Sequence, residues 1–141
     1  MQHDPVRIAD TSSWLEKATT DIRSAKADLD VTPPILTDAL FHCQQAVEKA
    51  LKAFLTWHDQ PFRRTHDLVE LGMECVALDS ELEVLLRSAA PLTEYAWKYR
   101  YPGDTEEPTR QQAKDSLQIA NRVVSAMVER VPIEARPPGA R

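Results

Sequence analysis

Glycine is scarce in this chain, with three among 141 residues. Scattered at Gly72, Gly103 and Gly139, they exclude a glycine-rich phosphate loop, which needs several within a few positions. Cysteine is nearly as rare. Cys43 and Cys75 both fall on apolar stripes and read as reduced core residues, because a disulfide framework or metal cluster needs more cysteines or closer spacing. No His-Glu-x-x-His and no repeated Glu-x-x-His occurs, so neither a metal nor another cofactor is expected. No Ser or Cys has the local signature of a nucleophile. A basic excess is missing too: the formal net charge is −5 and the pI is near 5.3. That argues against a nonspecific nucleic-acid binder and leaves room for a local basic pocket. No apolar run approaches the roughly 20 residues that span a bilayer. The N-terminus lacks a positive cluster followed by an apolar block, so no signal peptide is expected and the cytoplasm is the expected compartment. Strand-like alternation and internal repeats are also absent.

What is present is helical periodicity. The stretch Leu40 to Leu55 organises the chain. Leu40, Cys43, Val47, Leu51 and Phe54 recur at spacings of three and four and form one buried stripe. The opposite flank carries Phe41, His42, Gln45, Lys49 and Lys52, an unusual outer face. Gln44 lies beside the stripe and needs a hydrogen-bond partner, either within the core or on a ligand or second subunit.

The remaining segments are read in order. Residues 1–11 are expected to be a flexible lead in which His3 and Asp4 have no role. Ser13-Trp14-Leu15-Glu16 has the form of a capping box, which predicts a helix from there to about Leu29 with Trp14 packed over its start. The organising helix runs from about Pro34 to His58. A loop, 59–64, leads to a third helix capped by Thr65, in which Gly72 suggests a close helix approach. Ser80-Glu81-Leu82-Glu83 predicts a fourth helix, interrupted at Pro91 and resuming as far as Tyr99. Pro108 and Thr109 introduce a fifth helix ending near Val131. The proline-rich segment 132–141 is expected to be disordered. The whole is an all-α, up-and-down antiparallel bundle of about five helices with one domain over residues 12–131.

Within that frame a polar and aromatic set stands out: His42, Gln45 and Lys49; Arg63, Arg64 and His66; Tyr95, Tyr99, Arg100 and Tyr101. Arginine offers a planar fork to phosphate, tyrosine a stacking face to a base, and histidine a proton near neutral pH. Four of them also have a structural reading: His66 as a helix-terminal cap, Arg100 as a clamp on helix ends, Tyr95 and Tyr99 as core edges.

Phe41-His42-Cys43-Gln44-Gln45-Ala46-Val47-Glu48-Lys49, followed by Thr65-His66-Asp67-Leu68 and Arg100-Tyr101-Pro102, resembles the HEPN domain family (higher eukaryotes and prokaryotes nucleotide-binding). The resemblance covers Trp14 to Val131. It implies a helical bundle that forms homodimers and, in many members, pairs with a small nucleotidyltransferase in a two-component, toxin–antitoxin-like system. Many other members are ribonucleases whose motif is Arg, four to six residues, then His. Here no histidine has an arginine at that distance before it. The branch that carries over is therefore the nucleotide-associated, partner-binding one, with His42, Gln45, Lys49, His66, Tyr99, Arg100 and Tyr101 as the expected contact residues and a nucleotide or RNA as possible ligand. The alternative is a metal-independent ribonuclease with a non-standard site, in which His66, Arg64 and Arg100 would do the chemistry.

Overall fold

The computed structural model describes residues 3–103 and 106–140. Five α-helices form a bundle, and no strand occurs among the described residues. They are α1 (Pro5–Asp30), α2 (Leu36–Trp57), α3 (Leu68–Leu78), α4 (Glu83–Ala89) and α5 (Arg110–Glu129). Short 3₁₀ turns flank them at Ser80–Leu82, Ala90–Ala96, Ile133–Ala135 and Pro138–Ala140.

The spacing argument holds for α2. Leu40, Cys43, Val47, Leu51 and Phe54 are all buried, and the stripe packs against Leu15, Ala18, Ile22 and Ala25 of α1. α1 and α2 are antiparallel neighbours: Asp21 meets His42 and Lys49, and Arg7 lies over Trp57. Val123, Val124 and Met127 of α5 close the core from the other side. α3, the 3₁₀ turn after it and α4 cover what remains through Leu71, Cys75, Leu82 and Leu86.

Several boundaries differ from the sequence reading. The first helix begins at Pro5, so positions 5–11 belong to it and not to a flexible lead. Asp4 is its N-cap, accepting from the Val6 amide at 3.0 Å, and Pro5 fits the first turn, where a missing N–H costs nothing. Ser13 is thus interior, and Trp14 packs edge-on against Phe62 of the loop after α2 rather than over a helix end. His3, expected to have no role, stacks edge-on with Trp57, 4.8 Å between centroids. α3 is capped by Asp67, not Thr65. The Asp67 carboxylate accepts from Val69 and Glu70, while Thr65 Oγ1 accepts from the Asp67 amide. Asp79 rather than Ser80 caps the next turn. After Ala89 the chain tightens into a 3₁₀ stretch through Pro91 and does not resume as an α-helix.

The segment after α5, expected to be disordered, turns back on the bundle. Ala135 is fully buried, Arg136 Nε donates to the Val131 carbonyl at 3.1 Å, and Ser12 Oγ donates to the Arg136 carbonyl at 3.4 Å. His3 Nε2 and Glu134 Oε1 come within 3.9 Å, which brings the first and last described segments together. The expectation of disorder weighed proline content and overlooked the apolar Ala135, which docks on the core.

Candidate functional site

The loop from His58 to Asp67 decides where the polar residues meet. It leaves the end of α2 and returns along that helix, so that the His66 carbonyl accepts from Gln44 Nε2 at 3.1 Å. Gln44 is fully buried and fully engaged: it also donates to Glu48 Oε1 at 3.2 Å and accepts from Gln45 Nε2 at 2.7 Å. Of the two readings offered for Gln44, the satisfied core amide is the one found.

One turn further on, Glu48 is 4 % exposed. Its carboxylate receives Lys52 Nζ at 3.0 Å and His66 Nδ1 at 2.7 Å. With Gln44 and Lys52 both donating to it, Glu48 is placed as the acceptor for His66 Nδ1. The His66 side chain is 64 % exposed. The sequence placed Lys52 on the outer flank, but it is buried, with its ammonium over the rings of Trp14 (5.5 Å) and Phe62 (5.8 Å). Its aliphatic stem fills apolar space while Glu48 and the two rings hold its charge.

A second network sits on the α1 side of α2. Asp21, buried, accepts from His42 Nδ1 at 2.8 Å and from Lys49 Nζ at 2.6 Å. The other ring nitrogen, His42 Nε2, lies 3.3 Å from Asp38 Oδ2, one helical turn earlier on α2. Asp28 of α1 faces the same place. Burial, then hydrogen bonding and charge from Asp38, push its carboxyl up to about 6, opposed by His42. Both cysteines are buried and their thiols are pushed up to about 12, so they are poor nucleophiles.

At the α2 N-terminal end, the Arg100 guanidinium lies over the Phe41 ring, 4.1 Å from its centroid, and Phe41 touches the His42 ring edge-on. The outer face of α2 thus runs from Arg100 and Phe41 past Gln45 and Lys49 to Glu48 and His66. This brings together His42, Gln45, Lys49, His66 and Arg100 of the expected set. Tyr99 is turned away: it packs against the small cluster of Ala39, Leu40 and Ala113 and stacks with Tyr95 at 6.2 Å. It takes φ +68, the left-handed conformation that ends the preceding turn. Tyr101 is 79 % exposed. Arg63 is committed to Glu70 (2.8 Å), whereas Arg64 makes no ion pair among the described residues. The carboxylates Asp21, Asp28, Asp38 and Glu48 were not in the expected set. Asp38 and Glu48 were readable as helical neighbours of His42 and Lys52, four residues apart. Asp21 and Asp28 come from another helix, and no local pattern announces them.

A second surface feature is apolar. Between α3 and α4 lies a groove of about 540 Å³ lined by Leu68, Gly72, Val76 and Leu86, with Val69 (50 % exposed) and Met73 (70 %) at its rim. No described helix is long and apolar enough to cross a membrane.

Known proteins share this fold. The sequence profile of the HEPN domain matches residues 11–131. The crystal structure of TT1696 from Thermus thermophilus superposes with a TM-score of 0.72 at 27% identity, over 86% of this chain and 98% of that one. No curated protein matches the sequence.

Proposed function

The chain belongs to the HEPN domain family, and we propose that within it this protein is a nucleotide-associated binding partner of a small nucleotidyltransferase, in a two-component, toxin–antitoxin-like system. One observation carries the reading. The Arg100 guanidinium is held over Phe41 beside His42, at the head of the polar face of α2. An arginine stacked on a ring keeps its fork outward at little entropic cost, which suits phosphate oxygens. Gln45 and Lys49 continue that face, and Tyr101 offers an exposed ring to a base. His42 and Lys49 are each anchored by Asp21, an arrangement suited to holding a ligand more than to transforming one.

Affinity capture of the tagged protein from its native cells, with mass spectrometry of what co-purifies, tests the proposal. A stoichiometric nucleotidyltransferase, lost in Arg100→Ala, supports it. RNA recovered without such a protein counts against it.

A second reading, a metal-independent ribonuclease, is favoured by the pairing of buried Glu48 with exposed His66. With Nδ1–H donated to Glu48, Nε2 would accept the proton of a ribose 2′-hydroxyl, and Arg64 or Arg100 would stabilise the charged phosphorane. Toxicity on overexpression, abolished by His66→Ala with the helical spectrum intact, would favour this reading. A homodimer belongs to either reading. The groove between α3 and α4 is the uncovered apolar strip that a twofold contact would bury, and light scattering that finds only monomer at micromolar concentration would refute the dimer.

A further inference from the structure

We propose that Asp28, Asp38 and His42 Nε2 form a binding site for one divalent transition-metal ion, of which zinc is the first to test. The three residues offer one imidazole nitrogen and two carboxylates, with donor atoms all within 4.8 Å of one another. His42 Nε2 and Asp38 Oδ2 are 3.3 Å apart. Bonds of about 2.0–2.1 Å to a tetrahedral ion put neighbouring donor atoms about 3.3 Å apart.

Two independent observations point to a ligand there. First, the outer support of a metal-binding histidine is already built. Asp21, buried and fixed by Lys49 on its other oxygen, accepts from His42 Nδ1 at 2.8 Å. That bond holds the ring with Nε2 toward Asp38, as carboxylate–histidine pairs do behind metals. Second, Asp28 Oδ2 is shut off from water, and what faces the Asp28 carboxyl is another acid, Asp38. Two acids so placed are costly unless a proton or a cation lies between them. Two carboxylates and an imine nitrogen facing one point repel one another, and a dication relieves all three at once. Mixed nitrogen and oxygen donors suit zinc, manganese or ferrous iron more than calcium. Three protein ligands leave a coordination position open. The assignment does not depend on the nucleotide-partner reading.

The test is calorimetric titration of the chelator-treated full chain with zinc chloride at neutral pH. The expected result is one ion per chain, with affinity falling at least tenfold in Asp38→Asn and in Asp28→Asn and unchanged in His58→Ala. Absence of one-to-one binding overturns the proposal, and so does binding that both asparagine variants retain. Asp28→Asn keeps the side-chain shape on the well-packed α1, so it gives a reading even where Asp38→Asn unfolds the chain. Cobalt substitution adds a second readout. A visible band in the parent protein that disappears in either asparagine variant supports the site, and a band that persists in both refutes it.

Discussion

His66 Nδ1 stands 2.7 Å from Glu48 Oε1, so a solvent-facing imidazole is tied to a carboxylate in the bundle interior. The same carboxylate holds Lys52. Removing it strands a buried ammonium. Glu48→Ala is expected to lower stability by about 3–5 kcal/mol, read by urea unfolding. The paired replacement Glu48→Gln with Lys52→Met should recover most of that loss, because it removes the charge that would otherwise be left alone. His66→Ala, on the exposed side, should cost under about 1 kcal/mol. A large loss there would mean that the imidazole supports the fold rather than faces a ligand.

Gly72 invites a stabilising change. A methyl built at this helical position would meet Leu86 Cβ at 3.8 Å and its Cδ1 at 4.0 Å, ordinary van der Waals contact. The close approach expected from the sequence therefore does not require a glycine. Gly72→Ala should raise stability by roughly 1 kcal/mol, the helix-propensity difference, seen as a higher urea midpoint with an unchanged slope.

Neither cysteine should react in the native protein. Burial, and then the negative charges of Asp21 and Asp28, hold the Cys43 thiol up at about 12, and burial with Glu74 does the same for Cys75. A thiol reagent at about pH 8, near the ordinary thiol pKa, should label no cysteine in buffer and both Cys43 and Cys75 in guanidinium. Fast labelling of either in buffer would reveal local opening of α2 or α3.

Asp79 sets an acid dependence. Its carboxylate accepts from Arg130 Nε at 2.8 Å and from the Glu81 amide, and these bonds hold its pKa below the ordinary value near 3.8. Between the two values the unfolded chain binds more protons than the folded one. The contribution is therefore present above about 3.8 and is lost as pH falls through the lower, folded value. Asp79→Asn should lower the melting temperature at neutral pH and converge with the parent at the acid end. Parallel melting curves at every pH would show that the Arg130 contact contributes nothing.

Much of the bundle was legible because a buried helix face repeats every three to four residues, and Leu40 to Phe54 do so without interruption. Helix starts were less legible. Ser13-x-x-Glu16 matches a capping pattern, yet position 13 sits in a helix already begun at Asp4-Pro5, where the backbone amides are bonded. The candidate site divides the same way. His42, Lys49 and His66 stood out as unusual residues. What holds them, Asp21 from α1 and Glu48 across the returning loop, is a tertiary arrangement that spacing cannot express. Lys52 shows the converse: helical angle placed it outward, and the loop carrying Phe62 covers it.

The contact between His3 and Glu134, with Ser12 against the Arg136 carbonyl, makes the described chain nearly a ring. A short flexible linker across that junction would close it at little entropic expense, and new ends could then be cut in an exposed connection. Such a permuted protein would keep the α1–α2 pairing that assembles the polar face while changing the order in which the helices are synthesised. Retention of its helical spectrum would show that the bundle is specified by its faces and not by the order of its segments.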